Sequence, residues 1–79
     1  MDTMDMKLLS KDILLEYGFS ENELKTSIKI EVMTRDNFDI VIKDGQFYYS
    51  NLGIDYPLKD LAGLRKFYKE ARNKDLYPV

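Results

Sequence analysis

Carboxylates are the side chains of this sequence best suited to acid–base chemistry or to metal binding. Two pairs lie close together in the chain, Asp36 with Asp39 and Glu21 with Glu23. Paired carboxyl groups can act as general acid and base, and their oxygens are ligands for Mg²⁺ and Ca²⁺. In so acidic a chain, sparse carboxylates in predicted loops are usually solvated surface groups. We therefore expect no catalytic residue and no metal ligand among them.

Histidine and cysteine are both absent from the 79 residues. Without histidine the chain lacks the commonest general base and metal ligand, and Ser–His–Asp chemistry is excluded. Without cysteine it has no disulfide, no thiolate zinc site and no cysteine nucleophile. The four glycines are scattered, so no phosphate-binding glycine loop is present. We predict a protein that is not an enzyme and binds no cofactor.

Positive charge is concentrated at the C-terminal end of the chain. The net charge is −2, but residues 57–79 hold six bases and three acids. Four of these bases lie on the polar face of a predicted helix: Arg65, Lys66, Lys69 and Arg72. This basic face is a candidate for binding the phosphates of nucleic acid, although the overall acidity opposes it. The plainer interpretation is a solvated helix face with a Lys66/Glu70 ion pair.

The length and the N-terminal residues indicate where such a protein would act. Residues 1–79 are expected to form a single small domain, because a chain this short rarely divides its core. The first six residues are acidic and lack the basic-then-apolar pattern of a secretory leader. No apolar run approaches the roughly 20 residues that span a bilayer. We expect a cytoplasmic protein that does not enter a membrane.

A β-hairpin is predicted where Asp44-Gly45 separates two alternating apolar runs, residues 38–43 and 46–50 or 46–51. Both turn positions need positive φ, which Asp tolerates and Gly accepts freely. Opposite residues share a face of the sheet. The predicted buried face gathers five residues: Phe38, Ile40, Ile42, Phe47 and Tyr49.

The register of a first strand, residues 27–34, is predicted from the same apolar face. A three-residue loop, residues 35–37, pairs Val32 with Ile40 and buries Ile28, Ile30 and Val32. A two-residue loop is rejected because it is expected to place the charge of Glu31 opposite Ile40. The opposite face then carries a modest apolar spot, formed by Met33, Val41 and Tyr48. We interpret this spot as a possible surface for a protein partner or for a homodimer.

Two helices flank the predicted strands. The first is expected over residues 6–17, capped by Asp5, with Ser10 as a rival cap for a shorter helix. Gly18 should close it in the left-handed conformation, and Phe19 should fold back onto its last turn. The second is expected to begin near Pro57, a residue well suited to a first helical turn. Gly63 inside it implies either a close approach of another element or a tolerated defect.

The predicted architecture is α+β, with the order α-β-β-β-α, a three-stranded antiparallel meander and two helices packed on one face. This order of elements resembles that of double-stranded-RNA-binding domains. That family places a glycine and a lysine cluster at the start of its last helix to bind phosphates. The corresponding residues here, 56–60, contain one lysine and an adjacent acid. The resemblance is therefore limited to the order of elements.

Several short segments carry a wider resemblance: LLEYGF at residues 14–19, FYY at 47–49, residues 61–68, and KDL at 74–76. Together they resemble small uncharacterised bacterial proteins that are often carried on prophages and other mobile elements. The likeness spans most of the chain, but its motifs are structural and imply no site residue. It implies an accessory or host-interaction role. We therefore predict a small non-enzymatic protein-interaction module, with nucleic-acid binding as the alternative.

Overall fold

The computed structural model describes residues 7–79 as one antiparallel sheet with two helices. In chain order the elements are α1 (Lys11–Glu16), β1 (Ser20–Glu21), β2 (Glu31–Arg35), β3 (Phe38–Lys43), β4 (Gln46–Asn51), β5 (Ile54–Leu58) and α2 (Leu61–Arg72). The strands lie side by side in the order β1-β2-β3-β4-β5. The α+β class is confirmed. The three-stranded meander is wrong, because the sheet has five strands.

The hairpin of β3 and β4 has the predicted turn and register. Asp44 and Gly45 both have positive φ, 50° and 75°, as a type I′ turn requires. Lys43 lies opposite Gln46, and Ile40 lies opposite Tyr49. The turn therefore sets the core face of the two central strands.

The turn between β2 and β3 differs from the prediction by one residue. Asp36 and Asn37 form a two-residue turn, with φ values of 52° and 64°, so Met33 lies opposite Ile40. A shift of one residue exchanges the two faces of a strand. Met33 is consequently in the core, and Val32 points to the other side.

The observed register of β2 and β3 does not bury the charge of Glu31 without a partner. Glu31 lies opposite Ile42 rather than Ile40, and its carboxylate receives a 2.6 Å hydrogen bond from the Lys11 ammonium of α1. The predicted start of this strand is also wrong. Ile28 is fully exposed, and the Ser27 N–H donates to the Ile30 carbonyl at 2.7 Å, which closes a turn before β2 begins.

A third hairpin, absent from the sequence prediction, joins β4 to β5 through Leu52 and Gly53. Both residues have positive φ, 52° and 79°. Tyr49 lies opposite Tyr56, and Tyr48 opposite Pro57. Pro57, predicted at the start of the second helix, is therefore part of a strand.

Helix α1 is shorter than predicted and begins at the rival cap. The Ser10 hydroxyl accepts the N–H of Ile13 at 3.3 Å, whereas the predicted start at Met6 and cap at Asp5 lie outside the described residues. The end of α1 is as predicted. Gly18 has φ 84°, and the N–H of Phe19 donates to the Leu14 carbonyl at 2.9 Å. Phe19 is buried against the core, as in a Schellman motif.

Helix α2 is capped at its N-terminus by Asp60, which was not predicted as a cap. The Asp60 carboxylate accepts the N–H of Gly63 at 3.0 Å, and Asn73 ends the helix in the left-handed conformation. A Cβ at Gly63 would meet only the Asp60 carboxylate, at an ordinary 3.5 Å. The glycine is therefore a tolerated defect. Neither helix of the described chain is long and apolar enough to cross a membrane.

Both helices pack on the same face of the sheet, as predicted. One cluster joins side chains of the helices and the strands: Leu14 of α1 and Tyr17 at its C-cap, Leu61, Leu64 and Tyr68 of α2, and Met33, Phe38, Ile40, Ile42, Tyr49 and Leu58 of the sheet. The Phe38 and Tyr49 rings stack at its centre, with centroids 4.2 Å apart. This apolar burial supplies most of the free energy that holds the helices to the sheet.

The C-terminal segment after α2 is fixed to the rest of the fold. Leu76 is buried in the core, as expected, whereas Tyr77 is largely exposed. The Arg35 guanidinium donates to the carbonyls of Tyr17, at 2.6 Å, and Tyr77, at 3.1 Å. The N–H of Val79 donates to the Glu16 carbonyl at 2.9 Å. The segment thereby connects both helices to β2.

Two glycine-to-alanine substitutions should change stability in opposite directions. Gly63→Ala should raise the free energy of unfolding by about 0.5–1 kcal/mol, because alanine loses less backbone entropy in a helix. Gly18→Ala should lower it by about 1–2 kcal/mol, because the residue must stay left-handed. Its Cβ would also lie 3.2 Å from Val79. Urea denaturation measures both, and a loss of stability in Gly63→Ala would contradict the assignment of that glycine as a defect.

Candidate functional site

The predicted carboxylate pair Asp36 and Asp39 is divided between separate partners. Asp36 accepts hydrogen bonds from the Tyr68 hydroxyl, at 2.7 Å, and pairs with Lys74 at 3.2 Å. Asp39 pairs with Lys25 at 2.6 Å. The two carboxylates therefore make structural contacts in different directions. Within residues 7–79, no group of three or more carboxylates could hold a metal ion.

The titration behaviour around Asp36 also fits a structural role. The hydrogen bonds from Tyr68 and then Lys74 hold the pKa of Asp36 below its ordinary value. Burial, followed by the hydrogen bond to Asp36, raises the pKa of the Tyr68 hydroxyl. Near neutral pH the carboxyl group is therefore charged and the phenol is neutral. This pairing favours a fixed hydrogen bond that links the β2–β3 turn to α2.

The predicted partner surface of Met33, Val41 and Tyr48 is not formed as expected. Met33 is 1% exposed on the core face, so its placement was wrong, for the reason of register given above. Val41 and Tyr48 do lie opposite each other on the other face, but Val41 is only 9% exposed. The Lys43 ammonium lies 5.4 Å from the centroid of the Tyr48 ring. This face therefore presents little continuous apolar area.

Polar contacts cover much of the same face. Lys43 pairs with Asp55 at 2.6 Å, alongside the Lys25–Asp39 pair. The Thr26 hydroxyl accepts the N–H of Val32 at 3.0 Å. Residues 22–30 thus fold over the β2 side of the sheet, and the Lys43–Asp55 ion pair occupies the β5 side.

The edges of the sheet are also poorly suited to pairing with another strand. At the outer edge of β2, the Val32 carbonyl accepts the N–H of Asn22 at 2.7 Å, next to the Thr26 contact. At the other edge, Pro57 lies opposite Tyr48 and has no N–H. Antiparallel pairs alternate between hydrogen-bonded and non-bonded, so Pro57 occupies an outward-facing position of β5. A dimer through an edge strand therefore finds no support in this geometry.

The predicted basic residues of α2 share one flank of the helix. At 3.6 residues per turn, the four bases fall within about 120° of the helix circumference. Lys69 pairs with Asp75 at 3.0 Å, which partly neutralises the flank. The predicted Lys66/Glu70 pair is not among the ion pairs within residues 7–79. A basic flank exists, and the charge of Lys69 is already compensated.

The opposite flank of α2 forms an aromatic cleft with β4 and β5. The cleft has a volume of about 310 Å³ and is lined by Tyr49, Asn51, Tyr56, Phe67, Glu70 and Ala71. The Phe67 ring lies 5.4 Å from that of Tyr49 and 5.6 Å from that of Tyr56, centroid to centroid. Tyr56 and Phe67 are both half-buried. Aromatic side chains are thus presented to solvent in a concave site.

Exposed aliphatic residues extend the cleft toward the turn of the β4–β5 hairpin. Ile54 is 54% exposed and lies on the same face as Tyr56, two residues later. Leu52, in the turn itself, is 92% exposed and has φ 52°. We call Leu52, Ile54, Tyr56 and Phe67 the hairpin-tip surface. It is the apolar surface that the folded β4–β5 hairpin and α2 leave open.

The sequence analysis missed this surface because it assigned Pro57 to a helix. A signal was nevertheless present. Leu52-Gly53 separates two alternating segments and supplies a glycine at the second turn position, as in the Asp44-Gly45 hairpin. Phe67 was correctly placed beside the apolar stripe of α2, but its contact with Tyr56 depends on β5.

Comparison with known proteins gave no identification. No protein-family model, curated protein or solved structure matches the chain.

Replacing Leu52 by asparagine should stabilise the protein. A left-handed backbone costs an ordinary residue about 1–2 kcal/mol, and asparagine tolerates it better. We expect Leu52→Asn to raise the free energy of unfolding by about 1 kcal/mol in urea denaturation. Leu24→Asn is the matched control, because Leu24 is equally exposed and has no positive φ. Equal effects of the two substitutions would show that the backbone at Leu52 stores no strain.

The contacts of Asp36 should make stability depend on pH in the acid range. Since the pKa of Asp36 is lowered in the folded state, its stabilisation is complete above the unfolded value of about 3.9 and is lost as the pH falls through the folded value. Asp36→Asn should therefore flatten the decline in unfolding free energy that sets in as the pH falls below about 4. Asp44→Asn, at another left-handed turn position, is the control. The same flattening in both variants would contradict a specific role for Asp36.

Proposed function

We propose that this chain is a small non-enzymatic protein-interaction module and that the hairpin-tip surface is its binding site. The observation that carries the proposal is the exposed leucine in a left-handed turn. Leu52 is 92% exposed with φ 52°, where asparagine or glycine would be less strained. Strained backbone positions cluster at functional sites, so a leucine at a position better suited to asparagine or glycine favours a role for its side chain.

The composition of the surface supports protein binding over other roles. Tyr56 and Phe67 are half-buried aromatic side chains, and such residues are enriched at the energetic centres of protein interfaces. Ile54 and Leu52 add exposed aliphatic area beside them. A contiguous apolar surface on a small domain commonly marks a protein contact. Because Pro57 blocks strand pairing, a partner would bind through side chains.

The resemblance to proteins of prophages and other mobile elements supports an accessory role in a bacterial cytoplasm. In that setting the module would bind a host protein or a second copy of itself. Self-association through the hairpin-tip surface would replace the homodimer predicted through Met33, Val41 and Tyr48.

Nucleic-acid binding by the basic flank of α2 is the second candidate function. It is favoured by the alignment of Arg65, Lys66, Lys69 and Arg72 on one flank of the helix. The Lys69–Asp75 pair and the net charge of −2 oppose it. We rank it below protein binding for this reason.

Photo-crosslinking in the cell that encodes the chain tests the leading proposal. We expect p-benzoylphenylalanine in place of Ile54 to give a discrete adduct, and the same residue in place of the exposed Glu23 to give none. Leu52→Asn should weaken the adduct while it raises stability, because it removes an apolar contact without disturbing the fold. An adduct of twice the 9.3 kDa chain mass would identify self-association.

Two outcomes would overturn the proposal. One is the absence of an adduct at position 54, and the other is equal adducts at positions 54 and 23. If the purified protein instead retains duplex DNA or RNA in a salt-dependent way, and Lys66→Glu with Arg72→Glu abolishes retention, the second function replaces the first.

A further inference from the structure

The aromatic cleft contains one charged side chain, which is acidic. Among its six lining residues, only Glu70 carries a charge. Glu70 is exposed at the rim, one helical turn after Phe67, so the two side chains share a flank of α2. The cleft thus combines aromatic walls with a carboxylate at its mouth.

The Glu70 carboxylate is available to a ligand. Within residues 7–79, no hydrogen bond or ion pair engages it. Its helical neighbour four residues earlier is Lys66, whereas Lys74 lies beyond the end of α2 and is paired with Asp36 at 3.2 Å. Lys66 lies one turn away without forming a pair. The carboxylate therefore has no partner among the described residues and lies beside the half-buried rings of the cleft.

This combination of groups fits a guanidinium ion. The faces of aromatic rings carry partial negative charge and attract cations, arginine more often than lysine. A planar guanidinium stacks on a ring and donates two parallel hydrogen bonds to a carboxylate, which a lysine ammonium cannot reproduce. The half-buried Tyr56 and Phe67 rings offer the stacking surface, and Glu70 offers the acceptor.

The chain already contains one such arrangement at the end of β2. The Arg35 guanidinium lies 5.8 Å from the centroid of the Tyr68 ring, and its Nε is 3.8 Å from the Asp36 carboxylate. An aromatic ring and an acid thus hold an arginine side chain at the end of β2. The cleft presents the same two kinds of group to solvent.

We propose that the cleft formed by Tyr56, Phe67 and Glu70 binds an arginine side chain presented by the partner protein. This inference rests on the proposed function, because the arginine belongs to the protein that covers the hairpin-tip surface. The arginine would stack on the rings and pair with Glu70, while apolar side chains of the partner contact Leu52 and Ile54. The partner is therefore a protein with an exposed arginine next to apolar residues.

Titration with a blocked amino acid tests the site without knowledge of the partner. We expect N-acetyl-arginine methylamide to shift the backbone amide resonances of Asn51, Tyr56, Phe67 and Glu70 saturably, with a dissociation constant on the order of 1–10 mM. The citrulline analogue has the same shape without the charge, and it should bind at least fivefold more weakly. The lysine analogue should also bind at least fivefold more weakly, since it cannot form the planar fork.

Matched variants connect the binding to the cleft. Glu70→Gln and Tyr56→Leu should each weaken arginine binding at least fivefold, whereas Glu23→Gln, at an exposed loop carboxylate, should leave it unchanged. Equal binding of the citrulline or lysine analogue would overturn the guanidinium assignment. If the amide resonances shift equally in Glu70→Gln, the arginine analogue does not bind at the proposed cleft.

The arginine titration and the crosslinking experiment can fail independently of each other. If position 54 gives its adduct and the arginine analogue does not bind, the interaction module stands and the arginine inference falls. If the analogue binds and no adduct forms at position 54, the cleft is a guanidinium site, but the proposed protein partner is wrong.

Discussion

The left-handed backbone at three two-residue turns is the constraint on which the rest of this structure depends. Each turn fixes which residues of the adjoining strands lie opposite each other, and the faces of a strand alternate with every residue. The turns at Asp36, Asp44 and Leu52 thus decide which side chains meet the helices. The core, the covered back face and the open cleft all follow from this register.

The Asp44-Gly45 turn was predicted correctly because its glycine is a strong local signal. The Asp36-Asn37 turn lacks that signal, and its length was predicted wrongly. Asp44-Gly45 offers a residue free to adopt positive φ, and the register of β3 and β4 followed correctly. Asp36-Asn37 has no glycine, and a longer loop was preferred because a two-residue turn was expected to place Glu31 opposite Ile40, whereas it places Glu31 opposite Ile42. Because Val32 and Met33 are both apolar, either register gave a plausible buried face. Thr26, from the loop that leads into β2, completes the edge of this strand beside Val32, and the alternation of apolar residues could not supply that side-chain contact.

Strand β5 and the shortened α1 show a related limit of local reasoning. Proline is favourable both in a first helical turn and in an edge strand. Only the position of β5 at the edge of the sheet distinguishes the two for Pro57. For α1, Ser10 had been identified as a possible cap, and its hydrogen bond to Ile13 decides between the alternatives. Helix boundaries are therefore set here by single side-chain contacts.

The candidate site could be predicted only in part, because it is assembled from three elements, β4, β5 and α2, whose relative placement depends on the tertiary fold. The spacing of Phe67 and Glu70 on one flank of α2 follows from helical geometry. That Tyr56 faces the same flank requires β5 to lie beside β4, and α2 to cross above them. The Asp36 contacts with Tyr68 and Lys74 have the same origin. The sequence pattern identifies which face of a single helix or strand is apolar. A binding site depends in addition on how two such elements are placed relative to each other.

Pro57 has a consequence for how the protein behaves at high concentration. Growth of a cross-β fibril requires a strand edge whose amide groups can template an incoming chain. In the described part of the chain, β5 presents a proline at such an edge, and the opposite edge ends in the two-residue β1, with Thr26 and Asn22 occupying the adjacent groups of Val32. A sheet with so few free amides is a poor seed. The exposed apolar side chains of the hairpin tip can thus be tolerated in a crowded solution without the chain polymerising.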